Sequence, residues 1–527
     1  MGGTELVITQ ALTIDARPLA GNVTVNANQL SRIFNITATA GNFELGGLTL
    51  TGGRTTGNNA SSADTTFSGG AIRSLISNTN GSLTLDQSTI SGNSTTGSFA
   101  AGGGIWAIGS VLFNQSTVSG NSTAGNTARG GGIFSQGTVE LNESNVHGNQ
   151  TTGTSSQGGG IRALDSVSLN KSTVSGNSTF GEGAPGGGIV SLGEVSLFTS
   201  TVSGNRTVGG SNSDGGGIFS QGTVSITQST VTNNRAEHSS SRGGGIFQSG
   251  VNTPTTINGS IVAGNTAAGG ANDQGKTQIG AITVNYSLIG TGITPTSGGN
   301  NVVNNNPQLA PLLPNGGPTR THALRSGSPA LDVGDPSIVF SPGGFDQRGT
   351  GFARVQNGRI DIGAFEAQPF TTPTADFDAD GDIDGRDFLA WQRGFGTPNA
   401  TRGEGNSDND SDVDAVDLTQ WQNTYGTVPL SAAITDGGDS AAAYQDAVDA
   451  AMAMGLLRIP VEEVDDSAGS NTGIGAEPIT ESAFAGDNLQ TSAGKRQAAD
   501  LRITNSRPSS VPAIDWLSDD LLEKVFS

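Results

Sequence analysis

A Gly-Gly-Gly-Ile tetrapeptide ends at Ile105, Ile133, Ile161, Ile189, Ile218 and Ile246, and a Gly-Gly-Ala-Ile variant ends at Ile72. The intervals are 33, 28, 28, 28, 29 and 28 residues. A second motif, Ser-Thr-Val-Ser-Gly-Asn with variants, ends at Asn93, Asn121, Asn149, Asn177, Asn205, Asn234 and Asn265, at intervals of 28, 28, 28, 28, 29 and 31. Two motifs that keep one period define a structural unit, and a unit this short cannot bury an apolar face by itself. Only stacking of successive units gives it a core.

Within each unit the apolar residues alternate with period two, the signature of strands. Ten residues before the Asn stand Leu83, Val111, Val139, Val167, Val195 and Val224; eight before it stand Leu85, Phe113, Leu141, Leu169, Leu197 and Ile226. Three before it stand Ile90, Val118, Val146, Val174, Val202 and Val231. With the Ile of the glycine motif, these columns predict three short strands per unit, separated by glycine turns. Each strand would pair with its counterpart one coil away, at ~4.8 Å, so that like residues form ladders along the axis. The Asn column is expected at an inward corner, its amides bonded up and down the stack. That placement removes Asn93-Ser-Thr and its equivalents from consideration as glycosylation sites. The expected fold is therefore an all-β, right-handed parallel β-helix over residues 1–305, irregular in residues 1–68 and fading over 250–305.

Composition adds exclusions. There are 82 Gly, but not at every third position, so a collagen helix is ruled out. There is no Cys, hence no disulfide and no thiolate chemistry. The net charge of −21 is uneven: residues 376–527 hold 28 of the 46 acids and 9 of the 25 bases, leaving the preceding 375 residues near neutral at −2. No basic patch stands out, which argues against nucleic acid as a partner. No apolar run of ~18 residues is present, so no transmembrane helix is expected. Strand-like text begins almost at Met1 and no signal peptide is visible, so the true start is expected upstream.

The repeats resemble bacterial right-handed β-helix proteins of the pectate-lyase-like superfamily, and the glycine and Gly-Asn motifs resemble the passenger repeats of polymorphic outer-membrane proteins. From Asn306-Pro-Gln-Leu-Ala-Pro the texture changes, through Gly327-Ser-Pro-Ala-Leu-Asp332 and Phe345-Asp-Gln-Arg-Gly349 to Asp361-Ile-Gly-Ala-Phe-Glu366. This text resembles the choice-of-anchor module that ends many bacterial surface β-helix proteins. Residues 306–367 are accordingly expected to cap the β-helix, since an open end exposes unpaired strand edges. His322, Asp332, Asp346, Arg348 and Asp361 have catalytic chemistry available, but the simpler expectation is turn caps and ion pairs within that cover.

Residues 376–387 read Asp-Phe-Asp-Ala-Asp-Gly-Asp-Ile-Asp-Gly-Arg-Asp. Carboxylates fall at loop positions 1, 3, 5 and 12, with Gly at 6 and an apolar residue at 8, the spacing of a calcium loop leading into a helix. The ligand candidates are Asp376, Asp378, Asp380, Asp387 and, through its backbone carbonyl, Asp382. The pattern returns thirty residues on with Asn406, Asp408, Asp410, Asp412 and Asp417. The helices that follow match as well: Trp391 aligns with Trp421 and Phe395 with Tyr425, and the Trp side chains are expected in a core. Over residues 374–427 this duplicated loop and helix resembles a type I dockerin, an EF-hand-like calcium module that binds cohesin domains. The resemblance implies two calcium ions and a cohesin-like partner. Two departures stand out. Ser411 replaces the loop Gly, which weakens the second site. Gly385/Arg386 and Ala415/Val416 occupy positions where a cellulosomal dockerin often carries Ser-Thr, which weakens the cohesin expectation.

Residues 428–527 are acidic and rich in Gly, Ser and Ala, and are expected to be largely disordered, with helical stretches at 441–457 and 515–526. Acids within the repeats are sparse: Asp86, Glu140, Glu143, Asp165, Glu182, Glu194, Asp214 and Glu237 never share a column in adjacent coils. Glycoside hydrolysis needs paired carboxylates and lyase chemistry a cluster with a base. One outward column reads Gln87, Gln115, Glu143, Lys171, Thr199 and Gln228, and predicts a surface Glu143–Lys171 ion pair. No catalytic residue is singled out. The balance favours a monomeric, non-catalytic extracellular or cell-surface scaffold, adhesin or glycan-binding protein. The alternative is a secreted polysaccharide lyase or glycoside hydrolase that carries a dockerin.

Overall fold

The structure, a computed structural model, describes residues 3–425 apart from 20–22, 38–40, 80, 271, 277–279, 326, 340, 342, 357, 369–374, 379–382, 399 and 408–411. The expectations for the tail, 428–527, lie outside the described residues.

The repeats build a parallel β-solenoid. In the coil that begins at Ile105 the strands are Ile105–Ala107, Val111–Asn114, Thr117–Ser119 and Ser122–Thr123. Each pairs in parallel with its equivalent one coil on, as in Ile105↔Ile133, Val111↔Val139, Val118↔Val146 and Thr123↔Thr151. The four resulting sheets, 1 to 4 in chain order, hold 10, 11, 11 and 8 strands among the described residues. Strand pairing runs from Leu6 to Val303. The coil thus has four strands rather than three. The fourth is only two residues long, too short for alternation to show in the sequence.

The apolar columns face one continuous core. Ile133, Val139, Leu141 and Val146 of a single coil are all fully buried, and their equivalents stack above and below them. Burial of each such side chain stabilises by about 1.5–3 kcal/mol relative to exposure.

The corners are held by polar ladders. The Asn177 amide donates to Val146 O (2.9 Å) and to Asn205 Oδ1 (2.9 Å). Its own oxygen accepts from the backbone N–H (3.0 Å) and the amide (2.9 Å) of Asn149. The row starts where Gly53 N–H donates to Asn93 Oδ1 and finishes where Asp273 Oδ1 accepts from Asn265. All seven Asn side chains are buried, as an inward ladder requires. A second ladder runs beside it from Ser88 to Ser287, each backbone N–H donating to the Ser hydroxyl of the next coil, and closes on Asn301 Oδ1.

The outward column Gln87 to Gln228 sits at a left-handed turn, with φ between 45° and 48°. Gln87 donates to Gln115 (3.0 Å) and Gln115 to Glu143 (2.9 Å). In place of the expected ion pair, the Lys171 ammonium lies 5.8 Å from the centroid of the Phe345 ring. The intruding ring comes from the segment after the repeats.

Among its described residues that segment, 306–367, pairs the strand Leu309–Leu313 antiparallel with Thr321–Leu324 and adds the antiparallel bridges Phe345↔Ala353 and Gln356↔Arg359. Its described contacts run along the outer side of sheet 3. Asn145 donates to Pro318 O and Thr173 Oγ1 to Arg320 O, while Thr201 Oγ1 donates to Gln347 Oε1 and Ala364 N–H to Thr230 Oγ1. Ile261, Ala263 and Leu288 of the solenoid pack with Leu324, Ala330, Ile362 and Phe365. The sheet-3 hydroxyls beneath it, Thr201 and Ser203, are buried, whereas Thr89 and Ser91 farther along the same columns remain half-exposed. Two helices follow, α1 (Gly385–Gly394) and α2 (Ala415–Thr424). No helix among the described residues is long and apolar enough to cross a membrane.

Candidate metal centre

The acid-rich text at 376–387 leads into α1 for a local reason. Asp384 is its N-cap, accepting from Arg386 N–H (2.7 Å), and Asp387 reaches back to accept from Asp384 N–H (2.8 Å). This reciprocal box satisfies two backbone donors that the helix itself leaves open. Asp414 and Asp417 repeat it at α2, with bonds of 2.6 and 2.7 Å. The last acid of each loop also ties down the loop's beginning. Asp387 Oδ1 accepts from Phe377 and Asp378 N–H, and Asp417 Oδ1 accepts from Ser407 N–H (2.6 Å) and its hydroxyl (3.0 Å). Among the described residues, the helix caps and the closing acids of the two loops therefore match.

The two units interlock. Trp391 Nε1–H donates to Asp414 O and Trp421 Nε1–H to Asp384 O, both at 2.8 Å. Each indole thus fixes the N-cap carbonyl of the other helix. Phe388 lies between them, 5.4 Å from Trp391 and 5.1 Å from Trp421 between ring centroids. Ala375, Phe377 and Leu418 complete the small core. The Trp side chains serve packing, as expected.

Asp376, Asp378 and Asp387 bring carboxylate oxygens within 4.8 Å of one another, the one such group of three potential ligands among the described residues. Asp387 is wholly buried, and burial, reinforced by the Asp376 charge, pushes its carboxyl up to about 7. Three converging carboxylates are hard oxygen donors, the set a calcium ion prefers, so the residues present fit that ion. Asp380 and Asp382 lie outside the described residues. In the second loop Asn406 and Asp417 are buried at the positions equivalent to Asp376 and Asp387, and Asp412 is half-exposed; Asp408 and Asp410 lie outside the described residues. The Asn406 amide donates to Ala400 O (3.1 Å).

One participant was invisible in the sequence. Arg402, on the short turn of helix Arg402–Glu404 between the two loops, pairs with Asp376 at 3.3 Å. It supplies one positive charge to a cluster of three acids. Nothing in the loop spacing points to it, since it belongs to neither twelve-residue pattern.

The charged residues of 306–367 are placed quite differently. His322 is buried between Ser203 Oγ (2.8 Å) and Ala310 O (2.7 Å), and burial lowers its pKa. Arg348 pairs with Asp346 (2.7 Å), donates to Glu366 O, and lies between the rings of Phe352 and Phe365 at 3.9 and 3.8 Å. Asp361 accepts from the backbone N–H groups of Asp332 and Ala367. Asp346, Asp361 and Glu366 all have less than 2 % of their surface exposed, so this cluster closes turns rather than facing a substrate. Comparison with protein-family models, curated proteins and solved structures found no match to this chain.

Proposed function

We propose that this chain is a non-catalytic extracellular or cell-surface β-solenoid, a scaffold, adhesin or glycan-binding protein, whose helix pair is a calcium-dependent attachment module. The observation that carries the module is the convergence of Asp376, Asp378 and Asp387 at the entrance of a capped helix, duplicated in outline around Asp417. Bound calcium would neutralise carboxylates that otherwise repel, so metal binding and ordering of the module are coupled. The dockerin resemblance suggests a cohesin-like partner, with Arg386 and Val416 standing where recognition residues would differ. The scaffold reading is supported by the regular coils, which use their buried polar side chains in Asn and Ser ladders that hold the stack together.

Isothermal titration of the intact, chelator-treated chain with calcium tests the proposal, with near-UV circular dichroism of the Trp bands read in parallel. Saturable heat, a dichroism change reversed by chelator, and loss of the response in Asp387→Ala are expected. Absence of both heat and spectral change would refute it.

A further inference from the structure

The strands of sheet 4 begin with an outward residue, and along the axis that column reads Arg54, Ser94, Ser122, Gln150, Ser178, Arg206, Arg235 and Thr266. Arg206 and Arg235 are direct register partners on adjacent coils. Parallel pairing holds their backbones at ~4.8 Å, and like charges placed opposite each other on paired strands destabilise a sheet. Among the described residues neither guanidinium forms an ion pair. Both are exposed and line a depression of about 500 Å³ with Gly176, Ser178, Gly204, Asn233 and Glu237. Gly176 and Gly204 leave the floor of this depression as bare backbone. Arg206 is held in place, its Nε donating to Ser178 Oγ (3.2 Å) and its guanidinium lying 5.3 Å from the Phe180 centroid.

We propose that this depression binds a tetrahedral oxyanion, the sulfate or phosphate ester group of a larger ligand, bridged between Arg206 and Arg235. A planar carboxylate saturates the fork of one guanidinium. Two guanidiniums carried one coil apart need oxygens out of a single plane, and the three terminal oxygens of a tetrahedral ester group can be shared between them. Binding relieves the repulsion between the two arginines, so the stability they cost the free solenoid is regained in the complex. Glu237 stands in the same lining and restricts the ligand to one anionic group at this point, with neutral hydroxyls beside it. The site is independent of the calcium module, since it uses none of its residues.

The test is titration of the intact chain with inorganic sulfate and, separately, inorganic phosphate, at ionic strength held constant with chloride. Saturable binding is expected, weakened at least tenfold in Arg235→Gln and abolished in the Arg206→Gln/Arg235→Gln double variant. Arg54→Gln, in the same column but far along the axis, should bind as the unaltered chain does. Should a double variant misfold, Ser178→Ala serves instead, since loss of the Arg206 anchor should weaken binding severalfold. No saturable binding, or binding unchanged in the double variant, overturns the site; acetate binding as tightly as sulfate overturns the tetrahedral assignment. Preference between sulfate and phosphate then identifies the ester.

Discussion

Replacing Asn177 by Ala removes the middle rung of the Asn ladder and should be among the most damaging single changes in the solenoid. Four hydrogen bonds of 2.9–3.0 Å disappear. Not all partners are stranded. Asn205 Oδ1 keeps the Asn177 backbone N–H, and the Asn149 amide keeps Val118 O. The Asn149 N–H loses its partner in a fully buried corner, whereas Val146 O loses one donor but keeps its place in the sheet-3 ladder, and a buried unsatisfied group costs about 1–3 kcal/mol. The expected loss is therefore about 1–3 kcal/mol. Because coils contact only their neighbours, stacked repeats need not unfold in one step. The readout is thus hydrogen exchange resolved by coil, alongside urea unfolding. Protection should fall across the coils that contain Asn149, Asn177 and Asn205 and persist near Leu83 and Ile90. A loss below 1 kcal/mol, or one spread evenly along the axis, would refute the reasoning.

Glu366, beside Asp361, is pushed up to about 8 by burial and by the neighbouring acid, against an ordinary 4.5. A carboxyl that holds its proton more tightly when folded stabilises fully below its unfolded pKa, and that stability is lost as pH rises through about 8. The thermal unfolding midpoint should therefore fall from pH 5 to pH 9, and Glu366→Gln should flatten the slope. Gly159→Ala should abolish or gravely weaken folding, because a Cβ there would lie 2.4 Å from Gly187 O and 2.5 Å from Ser178 O. Gly148→Asn should be mild by the same urea assay: its φ of +64° is matched by Asn233 in that column at 57°, and no atom lies nearer its Cβ than 3.8 Å. Trp421→Phe takes the indole donor from Asp384 O, which keeps the Phe388 N–H at 3.5 Å, and should cost the helix pair about 0.5–1.5 kcal/mol, read from the loss of its near-UV dichroism at lower urea. Incubation with pectins, alginates, xylans and sulfated glycans should release no new reducing ends or unsaturated products; release of either would overturn the non-catalytic reading.

The core was legible because its residues carry their identity in the repeat. Ile, Val and Leu recur at fixed offsets from Asn, and the Asn itself, a residue costly to bury unpaired, points to a ladder. The serine ladder was less visible. Ser88 and its equivalents open the Asn motif itself, but Ser is so common on turns that its recurrence carries little signal. The lateral course of 306–367 was not legible at all, since the hydroxyls it covers at Thr201 and Ser203 belong to the same columns as the uncovered Thr89 and Ser91. What distinguishes them is a partner distant in sequence, not their own chemistry. In the helix pair, the loop spacing gave the helices that follow and the alignment of the Trp residues, whereas the Asp384 and Asp414 caps and Arg402 entered only with the fold.

The Asn ladder also has a polarity. Every amide donates one N–H along the row toward the next Asn or Asp and one to a carbonyl of the preceding coil, while its oxygen accepts from the previous coil, so the row of seven side chains runs in one sense. The oxygen end is met by the Gly53 N–H and the N–H end by the Asp273 carboxylate. Aligned peptide dipoles favour an anion at their positive terminus in the same way. Burial raises the Asp273 pKa, and the two Asn265 donors work against that rise. The row is consequently a directional element with distinct end groups. Coils can be duplicated inside it without disturbing either terminus, whereas a coil added beyond Asp273 would have to begin from a carboxylate that offers no donor.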